Sequence, residues 1–273
     1  MKTYQFLLLL ILAVCYSCGN KANYHFIEIQ GKKQHVLTWG KGEPVVVFLN
    51  GGGSTLKDFN PVQKEISKTT KTVSYDKPGL GKSELINIPR TLENVTEDLR
   101  ILIEKESIDG TPLILVGHSM GGAVARFYLH LYPENVLGLV LVDPGSEYLE
   151  DEWRKIRSEV ELEKEDSLLA AQIQKVSKGF QMEVKAYRQH DSILKTIKLQ
   201  TDIPVTLLES NKVEEGDEEG KLLLEIQKRL YRDFKESVPQ TKLISTKASG
   251  HFIQLDEPNL VINAIKEILT KVQ

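Results

Sequence analysis

The sequence predicts a three-layer α/β domain: a mostly parallel eight-stranded sheet with helices on both faces and a helical insertion past its middle. Three observations predict it. Short apolar runs recur along the chain, separated by stretches of helical periodicity. Most of these runs are nearly continuous in apolar residues, as strands covered on both faces must be. Between two of them lies a segment, 147–199, that carries helical pattern and no strand, far longer than an ordinary connection.

The strand candidates are 25–29, 33–39, 45–50, 72–75, 113–117, 137–143, 205–209 and 241–246. The first two alternate apolar and polar residues, so they are expected as an antiparallel pair with one solvated face. The other six read as the buried parallel set. In 91–106, Leu92, Val95, Leu99, Leu102 and Ile103 share one helical face. The chain closes on 259–272, with Leu260, Val261, Ala264, Ile265, Ile268 and Leu269 in a stripe and Pro258 suited to the first helical position. The insertion has a narrow apolar face at Leu168, Leu169, Ile173 and Val176. A charged stretch, 211–221, is expected as a mobile loop leading into a helix over 222–235. The core is thus assigned to 25–146 and 200–273, with the cap at 147–199. No internal repeat or low-complexity tract interrupts it.

Hydrophobic residues make up 41% and charged residues 27% of the 273, as in an ordinary globular chain. A net charge of −3 gives no basic footprint for nucleic acid. The N-terminus is set apart from the domain. Lys2 precedes an apolar core from Phe6 to Val14, then small residues and Cys18. That is a secretory signal pattern, too short to span a bilayer. Residues 1–17 are expected to be removed and 18–24 to form a tether, which takes away Lys2 and leaves a net charge of −4. Ser17-Cys18 is similar to a bacterial lipoprotein junction, so Cys18 is the expected lipidation site; cleavage and secretion without a lipid is the alternative. Both cysteines, Cys15 and Cys18, lie in this region, so the domain holds no disulfide framework and no thiolate metal site.

One motif points towards nucleotide binding. Gly81-Lys82-Ser83 ends like a phosphate loop, G-x-x-x-x-G-K-[ST]. The first glycine of that loop would have to be residue 76, which is Asp76, and its carboxylate would repel a phosphate. No helix start follows Ser83, and the chain runs into Pro89, so no helix N-terminus faces a phosphate.

The strongest chemical signal is "LILVGHSMGGAVARFYL", 113–129. It carries G-x-S-x-G as Gly117-His118-Ser119-Met120-Gly121, directly after a strand and before a helix, the context a nucleophile elbow needs. A sharp strand-to-helix turn there exposes Ser119 Oγ over a helix N-terminus. A serine hydroxyl needs a base. His118 sits within the elbow, His25 and His35 lie on early strands, His130 on the following helix and His190 in the insertion. Only His251 follows the last strand on a short loop, with Gly250 before it, so His251 is the expected base. A developing oxyanion needs donors. The strand 45–50 ends in three glycines, and the backbone N–H groups of Gly52 and Met120 are the expected pair.

These segments together resemble the α/β-hydrolase superfamily across nearly the whole mature length. The resemblance lies in "NGGGS", "YDKPGLGKS", "GHSMGG", "LVLVDP" and "SGHFIQLDEPNLV", each after its strand. It implies that D-x-x-G-x-G-x-S is a structural loop beside the active site, shaped by Asp76 and its glycines, with Lys82 solvated. It also implies a triad acid after the seventh strand, near Lys212, where no aspartate stands. Some lipases in the superfamily place the acid after the sixth strand, where this chain has Asp143. Asp143 is favoured, with Glu209, Glu214, Glu215 and Asp217 in reserve. Asp143 has a plain alternative role, capping a helix or bracing its loop.

The expected protein is therefore an exported, carboxylesterase-like serine hydrolase acting on a small-molecule acyl substrate through Ser119, His251 and Asp143. No metal or organic cofactor and no nucleic-acid partner is implied, and membrane contact comes only through the anchor. A serine nucleophile argues against the dehalogenases and epoxide hydrolases of the superfamily, which use a carboxylate there. An amidase or aminopeptidase of the same fold would need a cap carboxylate for the substrate amine. A hydrolase-shaped binding protein without turnover is the alternative of another class.

Overall fold

The structure is a computed structural model that describes residues 21–199 and 201–272. The signal segment and Cys18 lie outside the described residues.

Eight strands form one sheet: β1 (Asn23–Ile29), β2 (Lys32–Trp39), β3 (Val45–Leu49), β4 (Thr72–Tyr75), β5 (Leu113–His118), β6 (Val136–Val142), β7 (Val205–Ser210) and β8 (Thr241–Thr246). Their order is β1-β2-β4-β3-β5-β6-β7-β8. β1 and β2 pair antiparallel, β2 joins β4 antiparallel, and β3 through β8 run parallel. The split follows from sequence. β1 alternates and keeps one exposed face, whereas all five residues of β3 and all six of β5 are buried.

Helices cover both faces. On one side lie α2 (Leu92–Lys105), α3 (Met120–Leu131) and α7 (Glu218–Ser237). On the other lie α1 (Asn60–Ile66) and α9 (Pro258–Val272). The apolar stripe of α2 is buried along its length, and the Thr91 hydroxyl accepts from Asn94 N–H to cap it. In α9 the stripe Val261, Ala264, Ile265, Ile268 and Leu269 is buried against the second face.

Between β6 and β7 stand α4 (Leu149–Lys155), α5 (Glu159–Ile173) and α6 (Lys178–Leu194). A capping box between Ser158 and Glu161 starts α5, which buries none of its residues; Leu168 and Leu169 are half exposed. α6 buries Glu183, Ala186, His190 and Leu194 against the core. A short helix, α8 (Ile253–Asp256), follows β8.

Two boundaries differ from expectation. β1 begins at Asn23, inside the stretch expected as a tether, because Asn23 and Tyr24 pair with Thr38 and Leu37 of β2. The loop expected over 211–221 is shorter, because α7 begins at Glu218, where the Asp217 carboxylate accepts from Gly220 N–H, and runs to Ser237. The dense charge of 211–221 hid that cap: Asp217 reads as one more acid, yet it satisfies an orphan donor of the first turn.

Candidate active site

The turn between β5 and α3 holds Ser119 at φ 51°, ψ −120°, a sparsely populated conformation for a residue with a side chain. Its backbone is held on both sides: Ser119 N–H donates to Val142 O at 3.1 Å, and Gly122 N–H donates to Ser119 O at 2.9 Å. The turn packs so tightly on β3 that a Cβ at Gly121 would overlap Leu49 O. This close approach is why the elbow needs glycine there.

Asp143 follows β6 in a left-handed conformation, φ 41°. Its N–H donates to Leu208 O at 2.8 Å. The carboxylate is buried and faces the loop after β8, where His251 Nδ1 lies 2.7 Å from Asp143 Oδ2. A carboxylate only accepts, so Nδ1 carries the proton and Nε2 is left with its lone pair while the ring is neutral. Asp143 Oδ1 accepts from Ser210 N–H at 3.0 Å, with Gln227 Nε2 at 3.4 Å. Gln227 Nε2 also donates to Tyr231 Oη at 2.5 Å, and Tyr231 Oη donates to Pro144 O at 2.6 Å. Two side chains of α7 therefore brace the Asp143-Pro144 turn. Neither was singled out from sequence; they sit four apart on one face of the α7 pattern.

The reserve acids are engaged elsewhere. Glu209 is buried and takes the Ser245 hydroxyl and Asn211 Nδ2. Asp217 caps α7, and Glu214 and Glu215 are exposed. None of the four hydrogen-bonds His251 among the described residues.

His118 packs under His251, with ring centroids 4.6 Å apart, and its Nε2 donates to His251 O at 2.9 Å. Burial, reinforced by the neighbouring His251, pushes the His118 pKa down to about 3, so the ring is neutral. Its place inside the G-x-S-x-G motif was the one sequence signal that it belongs to the site. Of the other histidines, His25 meets Glu106, His35 meets Asp76, and His190 lies on α6.

The glycine loop after β3 lies against the elbow: a Cβ built on Gly51 would sit 3.2 Å from Ser119 Cβ. Neither Gly52 N–H nor Met120 N–H has an acceptor among the described residues. Gly53 N–H is already taken, by Glu183 Oε2 at 2.9 Å. Lys77 anchors this arrangement from below. It is buried, donates to Gly51 O at 2.7 Å and pairs with Glu183 Oε1 at 2.7 Å. Burial pushes the Lys77 pKa down and Glu183 opposes that shift. A lysine is rarely buried, so nothing in the sequence separated Lys77 from Lys82, which is exposed.

Asp76 acts as a brace. Its carboxylate accepts from Leu56 N–H at 2.9 Å and Lys82 N–H at 3.0 Å and meets His35 Nδ1 at 2.8 Å. Ser83 Oγ donates to Asp76 O. The acceptor oxygens thus fill the place where a phosphate would need donors.

A cavity of about 470 Å³ opens on Ser119 and Met120 and is walled by Trp153, Tyr187, Leu194 and Leu223 from α4, α6 and α7. A second, of about 460 Å³, lies beyond Gly145 and Ser146 against Tyr231 and Phe234 and does not reach Ser119 or His251. Among the described residues no group of three or more His, Cys, Asp or Glu is placed to hold a metal ion, and no helix is long and apolar enough to cross a membrane.

A family profile described as "alpha/beta hydrolase fold" matches residues 44–213. The uncharacterized protein YbdG of Bacillus subtilis is 28% identical over 121 residues, which is 44% of this chain and 37% of that protein. The chain thus matches well under two thirds of that relative's length. Among solved structures, the Cif epoxide hydrolase from Acinetobacter nosocomialis superposes with a TM-score of 0.67 at 19% identity, over 91% of this chain and 89% of that one. A putative lipase from Acinetobacter baumannii gives 0.64 at 18% identity, over 92% of each chain. At such identities the structural likeness speaks for the fold, and the profile covers more than half of the sequence: the chain belongs to the alpha/beta hydrolase family.

Proposed function

We propose that the protein is a serine hydrolase that cleaves a carboxylic ester through an acyl-enzyme. The observation that carries the reading is the 2.7 Å contact of Asp143 with His251 Nδ1, on the loop that packs over the elbow of Ser119. Ser119 Oγ attacks the acyl carbonyl while His251 Nε2 takes its proton. Asp143 keeps the imidazole in the right tautomer and stabilises the imidazolium. The oxyanion is met by the free N–H groups of Gly52 and Met120. His251 then returns the proton to the leaving alcohol, and water resolves the acyl-enzyme by the same steps, releasing the acid.

The epoxide hydrolases among the structural relatives share the fold, but a serine in the elbow favours acyl transfer over epoxide opening. Residues 147–199 act as the cap that selects substrate, since α4 and α6 supply most of the cavity wall above Ser119. An amidase would use the same machinery, and a panel of matched esters and amides separates the two. The test of the core reading is labelling with a fluorophosphonate. Wild type is expected to label on Ser119 and Ser119→Ala not at all; label on Ser83 or Ser249 would sink the assignment.

The N-terminal pattern supports export and lipidation at Cys18 in a bacterial cell envelope. Mass spectrometry of the mature N-terminus checks this, and an unmodified terminus beyond residue 18 would remove the anchor without touching the hydrolase.

A further inference from the structure

The wall of the Ser119 cavity contains an unpaired acid. Asp191, on α6, lines the cavity, and its carboxylate accepts no hydrogen bond from any described residue. Its helical partner would be Lys195, four residues on, in the favourable acid-before-base order. Lys195 is engaged elsewhere: its Nζ pairs with Asp151 Oδ2 at 2.6 Å and lies 5.7 Å from the Tyr148 ring centroid. The other cavity acid, Glu150, is already taken by Arg154. Burial pushes the Asp191 pKa up to about 6; Lys195 lowers it, and Glu147, Asp151 and Glu150 add to the rise.

The adjacent residue makes a second, independent observation. His190 also lines the cavity, is 3% exposed, and meets Arg90 O through Nε2 at 2.8 Å. A carbonyl only accepts, so Nε2 carries the proton. Burial lowers the His190 pKa, so the ring is neutral and Nδ1 keeps a lone pair, which finds no partner. Beside the unpaired carboxylate of Asp191 the chain thus carries a second side-chain acceptor, buried and without a donor. A half-buried carboxylate without a partner is costly, and a ligand that brings a cationic donor removes that cost.

We propose that the cavity accepts acyl substrates bearing a protonated amine, which the Asp191 carboxylate binds while Ser119 attacks the carbonyl. This rests on Ser119 being the nucleophile. The rest of the wall, Leu149, Trp153, Leu194 and Leu223, suits the hydrocarbon between the two groups.

The test uses matched pairs that differ in charge but hardly in shape. With the amine on the acyl side, the p-nitrophenyl esters of 6-aminohexanoate and 8-aminooctanoate are compared with those of heptanoate and nonanoate. With the amine on the leaving side, S-(2-dimethylaminoethyl) thiobutyrate is compared with S-(3-methylbutyl) thiobutyrate. One series is expected to show at least a tenfold preference in kcat/KM for the cation, expressed mainly in KM. Asp191→Asn is expected to abolish that preference, because kcat/KM falls at least tenfold more for the cation than for its neutral partner. No preference in either series overturns the proposal, as does a preference that survives Asp191→Asn. An Asp191→Asn enzyme that loses neutral and cationic substrates alike also overturns it, because the residue would then serve the fold. If wild type hydrolyses no ester and Ser119 takes no fluorophosphonate, the parent reading fails instead, and this one with it.

Discussion

Removing Glu183 is expected to damage both the fold and the site, because Glu183 ties α6 to the glycine loop through a buried charge. Lys77 and Glu183 are 3% and 1% exposed at their side chains and lie 2.7 Å apart. In Glu183→Leu the Lys77 ammonium keeps only Gly51 O, and Gly53 N–H loses its acceptor. Breaking a buried pair by deleting one partner costs about 3–5 kcal/mol, since the remaining charge stays desolvated. At about 2–4 °C per kcal/mol for a domain near this size, the melting temperature falls by roughly 6–20 °C. The double variant Lys77→Met, Glu183→Leu removes the orphan charge and recovers most of that loss, because apolar replacement of a whole buried pair is close to neutral. The sign of the pH dependence follows. Lys77 already has a lowered pKa in the fold, and without Glu183 only the weaker pull of Asp58 opposes the desolvation. The unfolded chain then holds the proton more tightly than the folded one, so Glu183→Leu gains stability as pH rises, and its deficit shrinks until the pH reaches the lowered pKa of wild-type Lys77, below the ordinary lysine value of about 10.4. Thermal melts of wild type, the single variant and the double variant at pH 7 and pH 9.5 test this. A single variant within about 1 kcal/mol of wild type would refute it, since surface pairs cost no more than that. So would a double variant no more stable than the single.

Three further outcomes follow from the site. Asp143→Asn is expected to fold and to lose about four orders of magnitude in turnover, as the wrong imidazole tautomer does elsewhere, whereas Glu209→Gln loses far less; steady-state kinetics on a p-nitrophenyl ester decides. Tyr231→Phe is expected to lower kcat about tenfold with KM unchanged, through the turn it braces at Pro144, and to cost nothing more in an Asp143→Asn background; additive losses would mean that Tyr231 acts on the fold generally. His118 stays neutral in the fold down to about pH 3, while the unfolded chain takes up its proton near 6.5. Wild type therefore loses stability as pH falls through that window, and His118→Asn should flatten the slope of melting temperature against pH between 6.5 and 4.

The sequence by itself determined the elements and the turn that carries Ser119, because those signals are local. Continuous apolar runs such as 113–117 must be buried on both faces, and a strand running into Gly117-His118-Ser119-Met120-Gly121 leaves the backbone few options. The eight strands lie where the runs are, and Ser119 stands on the turn between β5 and α3. What remained open concerned residues far apart in sequence. Which carboxylate meets His251 depends on where β6 and β7 end relative to the loop after β8. Asp143 and His251 are 108 positions apart, and the left-handed turn at Asp143 that aims the carboxylate is held by bonds to Leu208, Ser210 and the α7 side chains. Glu209, next to the usual place of the acid, points instead to Ser245 on β8. Tertiary structure alone also buried Lys77 while exposing Lys82 five residues later, and set Asp191 in the cavity wall while pairing Lys195 with Asp151. A charge is placed by the partners that packing brings within reach, and the order of residues along the chain does not encode those partners.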